Sequence, residues 1–137
     1  MLAKLVIFDL DDTLVHEGFE DYNESLLCND VLNVLEDLKR NGHLLAIASH
    51  NEDAEIIAKK CGISQFFDII VGYCPDTYSK LPLVEEILEF TKKSKDDIVF
   101  FDDLYENISE LHRNGMKAKK VNWEIGITKR DILEMNL

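Results

Sequence analysis

Apolar residues in this chain occur in two kinds of segment that alternate along its length. Leu5-Val6-Ile7-Phe8, Leu44-Leu45-Ala46-Ile47-Ala48, Phe66-Phe67-Asp68-Ile69-Ile70-Val71 and Ile98-Val99-Phe100-Phe101 are short apolar runs without regular polar alternation. Such runs predict strands buried on both faces. A fifth, weaker strand is expected over Met116 to Val121. Between the runs the spacing turns helical. Asn29 or Asp30 can cap a helix with Val31, Leu32, Leu35 and Leu38 on its apolar face, ending at Asn41-Gly42. Asp53 to Cys61 carries Ile56, Ile57, Ala58 and Cys61 at helical spacing, and Lys80 to Lys93 carries Leu83, Val84, Ile87, Leu88 and Phe90. Pro82 is tolerated there, because the N–H groups of a first turn lack intrahelical partners. Further helices are expected from Tyr105 to Asn114 and after Thr128, the last with Ile132, Leu133 and Met135 inward.

Strands alternating with helices specify a parallel sheet wrapped on both faces, and right-handed crossovers leave few topologies. The expectation is one doubly wound α/β domain over residues 1–137. Parallel strands present their carboxyl ends along one edge, where ligands of open α/β sheets bind. Polar residues collect at those predicted ends: Asp9 and Asp11 after the first strand, Ser49 and His50 after the second, Asp102 and Asp103 after the fourth. Lys80 follows the third strand by one loop. Val15 to Leu27 is a polar, Gly-containing stretch that reads as a loop or small hairpin over this edge.

Composition changes the picture in two ways. The chain has 137 residues, 27 acids against 15 bases and a net charge of −12. An acidic balance argues against a nucleic-acid binder, which needs a basic face, but not against a small phosphorylated substrate met by a metal and one or two cations. Cys28, Cys61 and Cys74 are too few and too scattered for a disulfide framework and read as buried thiols in a reducing compartment. The short stretch before Asp9 leaves no room for a signal peptide, and no apolar run approaches membrane-spanning length. A cytoplasmic location with no membrane partner is expected.

The chemistry these groups suit is phosphoryl transfer. Clustered carboxylates repel one another and call for a hard divalent cation such as Mg²⁺, which takes oxygen ligands. Asp9 can attack phosphorus to give an aspartyl-phosphate. Asp11, two residues on, can protonate the leaving oxygen and later deprotonate the attacking water.

Asp9-Leu10-Asp11-Asp12-Thr13 resembles the DxDxT signature of the haloacid dehalogenase-like superfamily. Ser49 at the end of an apolar strand is similar to its second motif, Lys80 to its third, and Phe100-Phe101-Asp102-Asp103-Leu104-Tyr105-Glu106-Asn107-Ile108 to its fourth. Within the superfamily the likeness is to the small capless magnesium-dependent phosphatases. The resemblance implies a Rossmann-like five-stranded parallel sheet in order 5-4-1-2-3 without a cap domain. It also implies Asp9 as nucleophile and Asp11 as general acid and base. Mg²⁺ is then expected on the Asp9 carboxylate, the Asp11 carbonyl and Asp103, with Asp102 acting through a metal-bound water, and Ser49 and Lys80 holding the phosphate. His50 departs from the pattern, since that subgroup usually has Arg after the Ser.

Without a cap the cleft is expected to admit bulky phosphomonoesters, with protein phosphotyrosine or a small phosphosugar ranked above nucleic-acid ends. Two rivals stand beside this reading: a polynucleotide 3′-phosphatase, and a non-catalytic module that keeps the fold and the metal. Asp12 is expected to stabilise its turn. His16, His43 and His112 are expected at the surface or in packing, and Trp123 at the cleft rim or in packing. Oligomeric state is not legible in the sequence.

Overall fold

The computed structural model describes residues 4–18 and 21–137. Strands and helices alternate: β1 (Leu5–Phe8), α1 (Val31–Arg40), β2 (Leu44–Ser49), α2 (Ala54–Lys60), β3 (Ile69–Gly72), α3 (Leu81–Thr91), β4 (Ile98–Asp102), α4 (Tyr105–Arg113), β5 (Lys117–Lys120) and α5 (Lys129–Glu134). The five strands form one parallel sheet in the order β3-β2-β1-β4-β5, the expected order read from the other edge. This is a single α/β domain, and no cap is inserted among the described residues.

Alternation of side chains along each strand divides the apolar residues between two cores. Val6, Phe8, Leu45, Ile47, Val99 and Phe101 face α1, α2 and α5, whereas Leu5, Ile7, Ala46, Ala48, Ile98 and Phe100 face α3 and α4. Burial on both faces explains why the central strands read as unbroken apolar runs. Phe8 is the centre of the first core, stacked on Phe101 at 5.7 Å between ring centroids and edge-on to Phe67 at 6.4 Å. Truncating it to Ala would cost about 3–5 kcal/mol.

The chain crosses to β2 on one side of β1 and to β4 on the other. The carboxyl end of β1 is therefore the switch point of the sheet, where a crevice opens. Asp9 is the first residue into that crevice, its N–H donating to the Phe101 carbonyl at 2.9 Å.

Several expectations are corrected by the packing. Helix α1 turns Val31, Val34, Leu35 and Leu38 inward and leaves Leu32 exposed. Ile56, Phe90 and Leu133 are likewise exposed, each one position or one turn beyond the stripe that meets the sheet. The third strand starts at Ile69 instead of Phe66, because Ser64–Phe66 forms a 3₁₀ turn that delivers Phe67 edge-on to Phe8. The apolar character of Phe66 and Phe67 comes from core packing rather than strand pairing. Asp30 precedes α1 without capping it, its carboxylate accepting the Lys129 N–H instead. Thr128 caps α5 as expected, in a reciprocal box with Asp131. Cys28 and Cys61 are buried, but Cys74 is exposed on the loop after β3.

The stretch after β1 is a loop pinned by the Val15–Leu27 bridge and by the His16 N–H to the Leu26 carbonyl; its residues 19–20 lie outside the described residues. Among the described residues no helix is long and apolar enough to cross a membrane. Strand β5 lies at the sheet edge and carries Lys117, Lys119 and Lys120, charge that discourages pairing with another strand.

Candidate active site

The crevice at the switch point is an open cleft of about 270 Å³ lined by Asp9, Asp11, Asp12, Ser49, His50, Asn51, Lys80, Asp103, Leu104 and Asn107. Six expected site residues, Asp9, Asp11, Ser49, His50, Lys80 and Asp103, thus share one concavity. The seventh, Asp102, is fully buried beneath it. A groove of about 330 Å³ between α1 and α5 has no comparable convergence, and its Lys129 and Arg40 are paired with Asp37.

Lys80 stands just before α3 and sends its side chain into the protein, with 2% of the residue exposed. Its ammonium donates to the Ala48 carbonyl at 2.6 Å and to Asp9 Oδ1 at 2.9 Å, and lies 3.3 Å from Asp102 Oδ2. Three oxygens around one cation match the three donors of an ammonium group. The backbone that carries Lys80 is itself clamped, because Glu110 of α4 accepts from the Ser79 hydroxyl at 2.8 Å and from the Lys80 N–H at 3.0 Å.

Asp102 is committed to the protein. One oxygen accepts the Leu104 N–H at 3.0 Å and the other accepts the Asn107 amide at 2.9 Å as well as facing Lys80. Asp103, half-exposed in comparison, turns to the cleft. Oxygens of Asp9, Asp102 and Asp103 all lie within 4.8 Å of one another, a cluster of hard donors.

One lysine cannot balance three acids. Burial pushes the Asp9 carboxyl well above the ordinary carboxylate range despite the pull of Lys80, with Asp102 adding to the rise. Burial, reinforced by the neighbouring Asp102, brings Asp103 up to about 6. For Lys80, burial opposes the charge, but Asp9 and Asp102 outweigh it and hold the ammonium above the ordinary lysine value. The cluster is short of positive charge, and its donors are all carboxylate oxygens. A hard divalent cation such as Mg²⁺ fits both properties.

Ser49 ends β2 with its oxygen accepting the Asn51 N–H at 3.1 Å, so its hydroxyl hydrogen remains to be donated into the cleft. It caps no helix; Asp53 stands at that position. His50 is half-buried and its Nε2 meets the Ser79 carbonyl at 3.1 Å. A carbonyl only accepts, so Nε2 carries a hydrogen, and the ring straps the loop after β2 to the segment leading into α3. Asp12 holds its turn in a left-handed conformation, φ 62°, and accepts the Glu17 N–H.

Asp11 has two partners that sequence reasoning missed. The Tyr22 hydroxyl donates to Oδ1 at 2.6 Å, and the Asn51 amide reaches Oδ2 at 3.4 Å. Burial and the Asp11 charge hold the Tyr22 phenol well above its ordinary value, so it remains a donor. Asn51 can lie close because of Gly72. A Cβ there would fall 2.5 Å from the Asn51 carbonyl and 2.8 Å from the Ala54 side chain. Asn51 had a signal, adjacency to Ser49-His50, and Asn107 stood within the fourth motif. Tyr22 had none, since only the path of the loop brings it to Asp11. Of the remaining histidines, His43 is buried and His112 bonds the Ala118 carbonyl, both packing roles, while His16 remains partly exposed. Trp123 is exposed.

The model of the haloacid dehalogenase-like hydrolase family matches residues 17–115. That span includes Ser49, Lys80, Asp102 and Asp103 and starts beyond Asp9 and Asp11. No curated protein matches the sequence. Among solved structures, the N-terminal part of a Bacteroides fragilis protein, containing a phosphatase domain and complexed with Mg, superposes with a TM-score of 0.79 at 17% identity, over 98% of this chain and 40% of that one. A haloacid dehalogenase-superfamily hydrolase from Ehrlichia chaffeensis gives 0.75 at 16% identity, over 98% and 97%. A haloacid dehalogenase-like hydrolase from Streptococcus pneumoniae gives 0.72 at 17%, over 96% and 90%. At these identities the superpositions establish the shared fold.

Proposed function

Because this chain belongs to the haloacid dehalogenase-like hydrolase family, we propose that its cleft is that of a Mg²⁺-dependent phosphatase acting on phosphomonoesters through an aspartyl-phosphate. The observation that carries this reading is the convergence of Asp9, Asp11, Ser49, Lys80 and Asp103 on one cleft at the switch point of the sheet. The Mg carried by the Bacteroides fragilis structure is in keeping with it.

Lys80 holds Asp9 Oδ1, which leaves Oδ2 to attack phosphorus in line with the leaving group. As the new bond from Asp9 to phosphorus forms, the bond from phosphorus to the leaving oxygen breaks, and Asp11 gives that oxygen a proton. In the second half Asp11 takes a proton from the water that attacks phosphorus, and the bond to Asp9 breaks to release inorganic phosphate. The Ser49 hydroxyl binds a phosphate oxygen, and Lys80 neutralises charge beneath it. Asp9 and Asp103, with the Asp11 carbonyl, would hold Mg²⁺, and Asp102 would act from behind because its own oxygens are already engaged. When bound, Mg²⁺ supplies positive charge to the transferring phosphoryl group.

The open cleft suits a substrate whose body extends into solvent, a phosphotyrosine side chain or a phosphosugar. A panel of phosphomonoesters with and without Mg²⁺ tests the class. Mass spectrometry of the borohydride-reduced phosphoenzyme tests the mechanism. Wild-type turnover by Asp9→Asn, or an adduct on another residue, overturns it.

A further inference from the structure

We infer that Tyr22 is a positioning residue for the acid–base carboxylate, fixing Asp11 Oδ1 so that proton transfer is confined to Oδ2. The inference rests on the reading of Asp11 given above and adds to it the device that aims the group. The two partners of Asp11 are unequal. Tyr22 approaches Oδ1 to 2.6 Å, the distance of a strong hydrogen bond to a charged acceptor, whereas the Asn51 amide stands 3.4 Å from Oδ2, near the limit of bonding. They also differ in place. Tyr22 is packed into the first core and does not line the cleft, whereas Asn51 does. Oδ1 is therefore the oxygen tied into the protein, and Oδ2, weakly held, is the one toward the substrate.

Such an arrangement serves both half-reactions. In the first, the proton that Oδ2 holds from the water of the preceding turnover passes to the leaving oxygen as the bond from phosphorus breaks, and Tyr22 donates to the carboxylate left behind. In the second, Oδ2 recovers a proton from the attacking water without a rotation of the carboxyl group, because Oδ1 has not moved. Tyr22 keeps its own proton throughout. Its ring is fixed by the core and its loop by the Val15–Leu27 bridge, so the hydroxyl is preorganised.

The test is the dependence of kcat/KM on the leaving group. Tyr22→Phe keeps the buried ring and removes the hydroxyl alone. It is compared with wild type and Asp11→Asn on 4-nitrophenyl phosphate, whose leaving oxygen departs without a proton, and on an alkyl phosphate, whose leaving oxygen needs one. The expected result is a loss of about tenfold or more on the alkyl phosphate, the worth of a hydrogen bond to a charged group, with little change on 4-nitrophenyl phosphate and an unchanged melting temperature. Equal losses on both substrates would make Tyr22 a structural residue, and no loss on either would make its bond to Asp11 irrelevant; each overturns the inference. If Asp11→Asn itself loses equally on both substrates, the acid–base assignment of Asp11 fails, and the inference falls with it. That outcome is distinct from a Tyr22→Phe result that alone lacks the dependence.

Discussion

The ammonium of Lys80 lies 2.9 Å from Asp9 Oδ1, joining two residues 71 positions apart on the floor of one cleft. The same ammonium faces Asp102 at 3.3 Å, and both Lys80 and Asp102 are almost wholly withdrawn from solvent. The contact orients the proposed nucleophile and opposes the effect of burial on its charge. It also makes Lys80 part of the fold.

Lys80→Met should therefore destabilise the protein as well as abolish turnover. Removing one member of a buried ion pair leaves its partners uncompensated and costs about 3–5 kcal/mol. Urea unfolding of the metal-free protein measures this. A variant as stable as wild type would mean that Asp9 and Asp102 satisfy each other by sharing a proton.

Mg²⁺ should raise the melting temperature of the wild-type protein and fail to do so for Asp103→Asn, because a ligand that binds only the folded state stabilises it by mass action. Since burial and Asp102 bring the Asp103 carboxyl up to about 6, protons compete with the metal there. Apparent Mg²⁺ affinity should fall as pH drops below about 6 and level off above it. Calorimetric titration at several pH values checks both statements. A pH-independent affinity would remove Asp103 from the ligand set.

His50 lines the cleft while its Nε2 is bound to the Ser79 carbonyl. His50→Ala should raise KM several-fold with a smaller loss in kcat, the pattern of binding shared by ground and transition states. Steady-state kinetics decide it. Unchanged KM would leave His50 as a strap between two loops.

Far from the cleft, at the amino end of β2, His43 accepts the Lys4 N–H on Nδ1 at 2.8 Å, and its buried Nε2 has no partner among the described residues. Burial holds its pKa below the ordinary histidine value. The unfolded chain therefore takes up a proton near pH 6.5, while the folded protein resists it. The contribution of His43 to stability is full above that pH and declines as pH falls below it. His43→Asn, which keeps an acceptor for Lys4, should flatten the loss of stability between pH 7 and 5 measured by denaturant unfolding. An unaltered slope would show that other groups set the acid sensitivity.

The alternation of strands and helices, and which acids stand at the carboxyl ends of the strands, follow from local pattern. Apolar runs such as Ile7-Phe8 and Phe100-Phe101, bounded by polar residues, suit a sheet covered on both faces. The order of the strands, which the family resemblance implied, brings Asp9 beside Asp102, so the place of the candidate site was legible before any contact was known. Local pattern could not say which residue of an apolar stripe meets the sheet. Leu32, Ile56 and Phe90 are exposed because the angle at which a helix lies is decided by its neighbours. Nor could it place Phe67, apolar for the sake of Phe8, outside the strand it resembles. The partners of the proposed catalytic carboxylates are furthest from local rules. Tyr22 reaches Asp11 only through the course of an irregular loop, and Glu110 reaches Ser79 and Lys80 only because α4 packs beside the start of α3. Hydrogen bonds act over about 3 Å. Which groups come within that range is a property of the folded chain, and no spacing in the sequence encodes it.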